Sequence, residues 1–176
     1  MRIRKLLFIS IIIIFTFSCQ KKIDNNQQKN TKQIPLQEIF PKITTDSNTP
    51  LTVIAYPITY DVIVKAPNDD EWTKECLQNT DRQKLIDILF HKVISGELKA
   101  HQYLTDTIIP VDSIKALYKR YPLSKVGKLQ FEEEWYFDTL NDRFYKRVKS
   151  IIFGYELRDN TGEVYGYKPG FKIYLK

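Results

Sequence analysis

Cysteine and histidine are scarce: two of each in 176 residues. Cys19 lies in the N-terminal segment, so Cys76 is the one thiol left in the body of the chain, which excludes an intramolecular disulfide framework there. His91 and His101 stand at no metal-ligand spacing with Cys76 or with each other. Glycine occurs six times and always singly, so no glycine-rich phosphate loop exists. No calcium-loop pattern occurs, and no apolar run is long enough for a permanent membrane-spanning helix. These absences lead us to expect no catalytic residue, no metal site and no cofactor. A Cys76–histidine nucleophile is the one enzymatic alternative, and any cysteine and histidine could be paired that way on paper.

Positive charge is less informative than its total of +6 suggests. Arg2, Arg4 and Lys5 crowd the N-terminus, and five further bases against three acids lie between residues 20 and 50. Residues 51–176 carry 19 bases and 18 acids, which is near neutrality. The pI of about 9.1 is therefore no argument for a nucleic-acid partner, and none is expected.

The N-terminus reads as an address. A basic stretch is followed by the apolar run Leu6–Phe17, then Ser18-Cys19. That is the three-part pattern of a signal peptide over residues 1–18. Ser18-Cys19 resembles a bacterial lipobox, so Cys19 is the expected lipid attachment, with plain cleavage or an uncleaved anchor as alternatives. Acyl chains would hold the protein on a membrane at about 0.8 kcal/mol per buried methylene. Gln20-Lys21-Lys22 lacks an acidic export signal, which by resemblance to Bacteroidota lipoproteins favours the outer membrane with the domain facing the periplasm.

Residues 19–50 are rich in Gln, Asn, Lys, Thr and Ser, with three prolines, and read as a flexible tether reaching roughly 30 Å. Docking of Leu36, Ile39 and Phe40 as a short helix is the alternative. Residues 51–176 form the expected domain. Thr52–Tyr56 and Tyr60–Val64 are β-rich runs separated by Pro57. Pro67–Asp70 is a turn opening a short helical piece through Trp72 and Leu77. Leu85, Ile86, Leu89, Phe90, Val93 and Ile94 form one helical stripe, with Thr80 or Asp81 as cap and Gly96 at the C-terminal end. A second helix is expected over 112–121, stopped by Pro122.

The last third reads as strands over 129–138, 143–157 and 171–175. A turn at 139–142 sets Asp138 opposite Arg143, Tyr136 opposite Tyr145, Glu134 opposite Arg147 and Glu132 opposite Lys149. That register predicts a solvated ladder of ion pairs for the Glu132–Glu134 run, and no acid–base pair. The whole predicts an α+β fold: a mainly antiparallel sheet with a C-terminal β-meander packed by two or three helices. Aromatics make up 13% and crowd this sheet at Trp135-Tyr136-Phe137, Phe144-Tyr145 and Phe171–Tyr174. They read equally as a two-sided core or as an interface. Stacking on single-stranded nucleic acid would suit the composition but not an exported chain.

Three stretches resemble the GldN/PorN family: Glu133-Glu134-Trp135-Tyr136-Phe137-Asp138, then Arg147–Gly154, then Gly166–Tyr174 with its Gly-Tyr-Lys-Pro-Gly-Phe start. The helix over 85–100, ending Gly96-Glu97-Leu98-Lys99-Ala100, is similar to that family's helix. The resemblance implies a shortened, self-anchored relative of a periplasmic component of type IX secretion and gliding machinery. It implies a structural or assembly subunit and not a catalyst. Expected partners are the membrane and other envelope proteins, namely a GldK/PorK-like lipoprotein and GldL- or GldM-like proteins, in a homo- or hetero-oligomer. It marks Trp135, Phe137, Asp138, Arg147 and Phe171 as structural or interfacial positions. A stand-alone periplasmic binding module with a soluble ligand or peptide partner is the competing function.

Overall fold

The computed structural model describes residues 33–39 and 50–175. The expected signal peptide, Cys19, the expected tether up to residue 32, Phe40 and residues 41–49 lie outside them.

The C-terminal meander is the centre of the molecule. Strands β5 (Val126–Asp138), β6 (Arg143–Arg158) and β7 (Val164–Tyr174) pair antiparallel in sequence order. On one side β5 pairs with β2 (Pro50–Ile63), and β2 with the short β1 (Gln33–Pro35). On the other, β7 pairs with β3 (Ala100–Gln102), which pairs with β4 (Ile108–Ile109). The result is an open, all-antiparallel sheet in the order β1-β2-β5-β6-β7-β3-β4. With its helices this is the α+β architecture expected from the sequence.

Helix α1 (Leu36–Ile39) follows β1 directly. Helices α2 (Glu71–Cys76), α3 (Arg82–Ile94) and α4 (Val111–Arg120) follow the first long strand. Asp70 and Asp81 cap α2 and α3 by accepting from the backbone N–H groups of Thr73 and Lys84. Gly96 takes φ of +84° just after the Ser95 C-cap of α3, a conformation glycine adopts without a Cβ penalty. Ile86, Leu89 and Val93 of α3 and Ile114 of α4 pack with Leu129, Ile151, Phe153, Phe171 and Ile173 on one sheet face, the main core. Leu85, at the edge of the predicted stripe, stays 37% exposed.

Three differences from the sequence reading have physical causes. The two N-terminal β runs are one strand, because β1 covers the outer side of β2 only at residues 50–52. Among the described residues Pro57 therefore has no strand on its outer side, and it falls within a register shift between Ala55 and Ile58, where its missing N–H costs no ladder bond. The last strand starts at Val164, ahead of Phe171, because Pro169 pairs only with β6 while β3 begins opposite Phe171. The tether reading to residue 50 gives way over 33–39: Leu36 and Ile39 are buried with Leu51 and Tyr136 in a second small core. That cluster lies on the sheet face opposite α3 and α4, since Tyr136 and Leu129 are an odd number of residues apart on β5.

Candidate docking surface

Helices α3 and α4 roof the middle of their sheet face and leave the hairpin end of β5 and β6 open. On that continuation Tyr60, Phe131, Trp135 and Phe144 form a connected aromatic group. Tyr60 stacks on Phe131 with ring centroids 5.9 Å apart, and Trp135 meets Tyr60 and Phe144 edge-on at 6.5 and 5.5 Å. Lys146 places its ammonium 4.6 Å from the Trp135 ring centre and 5.8 Å from that of Tyr60. Phe144 remains 47% exposed. Rings and a cation half-open to solvent are the composition of protein-interface hot spots.

A buried carboxylate sets the geometry of this patch. Glu133 is 4% exposed, and Trp135 Nε1 donates to its Oε2 at 2.8 Å. Lys146 Nζ lies 3.9 Å from the same oxygen. Burial, together with the hydrogen bond to Glu133, pushes the Tyr60 phenol up to about 12. The indole is thus held in one orientation by the buried carboxylate.

The opposite face of the same hairpin is structural. Glu134 is 2% exposed and accepts from Tyr136 Oη and Arg147 Nε, both at 2.7 Å. The second guanidinium nitrogen of Arg147 is also paired with it, and Lys149 Nζ lies 3.5 Å away. Burial works against ionisation of Glu134, but the Tyr136 and Arg147 hydrogen bonds with the charges of Arg147 and Lys149 outweigh it and hold its pKa below the usual range. Arg147 also reaches the carbonyl of Ile39 at 3.5 Å, tying α1 to the hairpin.

The expected ladder is therefore corrected in two respects. Asp138–Arg143, Tyr136–Tyr145 and Glu134–Arg147 are opposite as the turn predicts. An irregularity between Glu132 and Glu133, however, leaves Lys149 as the extra residue and sets Glu132 opposite Ser150. Glu132 takes Ser150 Oγ at 2.9 Å and Lys172 at 3.5 Å instead. Nor is the run solvated, since Glu133 and Glu134 are buried on opposite faces.

The five signature positions consequently separate. Trp135 belongs to the open aromatic patch. Phe137 sits half-buried between Thr52 and Phe144. Asp138, 1% exposed, accepts from the backbone N–H groups of Leu140 and Asn141 and from the Asn141 side chain, so it shapes the turn. Arg147 anchors the Glu134 network, and Phe171 is core, its ring 5.1 Å from Phe153. Sequence reasoning missed Glu133 and Tyr60 as parts of the patch; the period-two spacing of 131, 133 and 135 was the available signal.

Cys76 is exposed at the end of α2. His101 Nδ1 lies 2.9 Å from the Asp106 carbonyl oxygen, and its ring packs edge-on to Tyr174. Among the described residues no group of three or more His, Cys, Asp or Glu is placed to hold a metal ion, and no helix is long and apolar enough to cross a membrane. No protein-family model matches the chain, and no curated protein matches it significantly.

Proposed function

We propose that the chain is an outer-membrane lipoprotein, anchored through Cys19, whose α+β domain faces the periplasm as a structural or assembly subunit among envelope proteins, in the manner of the GldN/PorN component it resembles in sequence. The lipobox-like Ser18-Cys19 supports the anchor. One structural observation supports the docking role above others: the core face runs out past its helices into a preorganised aromatic group, with Trp135 fixed by Glu133 and Phe144 left 47% exposed. Its partner is a protein of the same membrane surface, a GldK/PorK-like lipoprotein on the strength of the resemblance.

Palmitate labelling in the native host tests the anchor: label is incorporated by the wild-type chain and lost in Cys19→Ala. Crosslinking followed by pull-down from solubilised envelope tests the docking role. Wild-type chain recovers envelope proteins, and Trp135→Ala with Phe144→Ala loses them while remaining folded by circular dichroism. Recovery of the chain alone, or equal recovery by the double variant, overturns the docking reading.

A further inference from the structure

The other sheet face carries a second feature beyond the docking reading. Past the α1 cluster, the face opposite α3 and α4 forms a trough across β2, β5, β6 and β7. Two adjoining pockets of about 220 and 310 Å³ share Tyr103, Gln130 and Ile152 as lining. Volumes of this size suit a small ligand.

The trough is polar but charge-balanced. Lys128 Nζ is 2.7 Å from Asp61 Oδ2, and Gln130 Nε2 donates to Asp61 Oδ1 at 2.9 Å. Lys172 lies 3.5 Å from Glu132. Two bases therefore face two acids, and an ionic ligand gains no net attraction. Aromatic rings flank these groups. Tyr167 lines one pocket beneath Lys128, whose ammonium sits 5.4 Å from its ring centre. Tyr103 overhangs both pockets from the β3–β4 loop. That loop is braced: Tyr174 Oη donates to the Asp106 carboxylate at 2.8 Å, and Gln102 N donates to the Thr107 carbonyl at 2.8 Å. Leu104 beside Tyr103 is 87% exposed at the rim.

The Tyr167 phenol oxygen and Glu156 Oε1 are both buried and have no partner among the described residues. The Glu156 side chain is 1% exposed, and its other oxygen already serves Lys65 and Arg158. Packing is close here: a Cβ on Gly127 would lie 2.9 Å from both Glu156 Cγ and Tyr167 Cε1, so those side chains fill the space beside the glycine.

We infer that this trough binds a short, uncharged saccharide. Sugar hydroxyls both donate and accept, matching Gln130, Glu132, Asp61 and the two lysines without needing net charge. The apolar C–H face of a sugar ring suits the Tyr103 and Tyr167 rings. The inference stands independently of the aromatic patch on the opposite face.

Isothermal titration of the full chain in detergent, against neutral trisaccharides of glucose, mannose and N-acetylglucosamine, tests it. Inorganic phosphate and a capped trialanine peptide serve as competitors in class. At least one trisaccharide is expected to bind with Kd of about 1 mM or tighter. Tyr103→Ala is expected to weaken it about tenfold, the loss of one ring. Trp135→Ala leaves it unchanged. Tyr103 is 39% exposed on its loop, so truncating it keeps the fold intact, which separates binding from stability. Absence of trisaccharide binding, binding of phosphate or trialanine alone, or equal affinity in Tyr103→Ala overturns the assignment.

Discussion

Arg147→Met removes the main counter-charge of a carboxylate that has almost no water. Glu134 would keep the Tyr136 hydroxyl and the more distant Lys149, whose side chain is 39% exposed. Breaking one side of a buried ion pair costs about 3–5 kcal/mol, and the surviving Lys149 places this case at the lower end, near 3 kcal/mol. For a domain of this size a urea slope of about 2 kcal/mol per molar turns that into a midpoint drop of about 1.5 M. The pH dependence carries the diagnostic sign. In the wild type the Glu134 pKa is lowered by folding, so its contribution is present above the unfolded carboxylate pKa and is lost as pH falls through the folded value. In Arg147→Met burial dominates, the folded pKa rises, and protonation relieves the penalty. The gap between the two proteins is therefore widest at pH 7 and narrows on acidification towards pH 4. Urea titrations at pH 7, 5.5 and 4 measure it. A deficit below about 1 kcal/mol at pH 7, or one that does not change with pH, would refute the reasoning.

Ile39→Ala removes half of what α1 contributes to the small core and should cost about 2 kcal/mol, the low end for an apolar truncation because the cluster is small; thermal melting of the full chain measures it, and no change would mean the 33–39 segment contributes nothing to the domain. Gly170→Ala should destabilise by about 1–3 kcal/mol, because the added Cβ would lie 2.5 Å from Tyr155 Cε2 and 3.1 Å from the Phe153 carbonyl oxygen; an unchanged urea midpoint would show that the Tyr155 ring moves aside freely.

The meander and its main hairpin were legible because charge, aromatic pairing and turn residues converge on one register. Asp138, Tyr136 and Glu134 all find their expected partners. The failure at Glu132 was not legible, since an extra residue opposite a strand leaves no mark in residue type, only in backbone geometry. Docking of Leu36 and Ile39 was visible as a possibility: two apolar residues three apart in a polar stretch. Whether they outweigh the ordering cost depends on the cavity formed by Leu51 and Tyr136, which are distant in sequence. The trough was invisible for the same reason, because its walls come from four strands and a loop.

The buried carboxylates also explain how so aromatic a hairpin keeps one alignment. Trp135, Tyr136 and Phe137 are apolar on consecutive positions, so both faces of β5 carry rings and the usual in–out alternation is weak. A strand of that kind is prone to slip by one residue. Slippage here would carry Glu134 away from Arg147 and bring Glu133 beneath α1, and would take Asp138 out of the turn whose N–H groups it accepts. Each displaced carboxylate would be buried without its partners, at a cost of several kcal/mol. The polar network thus specifies register where hydrophobicity does not, and frees the rings around Trp135 to be chosen for what they present outward. On that account, replacing both Glu134 and Arg147 by apolar residues restores much of the stability lost in Arg147→Met, yet gives more than one set of hairpin amide resonances in a nuclear magnetic resonance spectrum. A single sharp set from the double variant would show that the turn alone fixes the alignment.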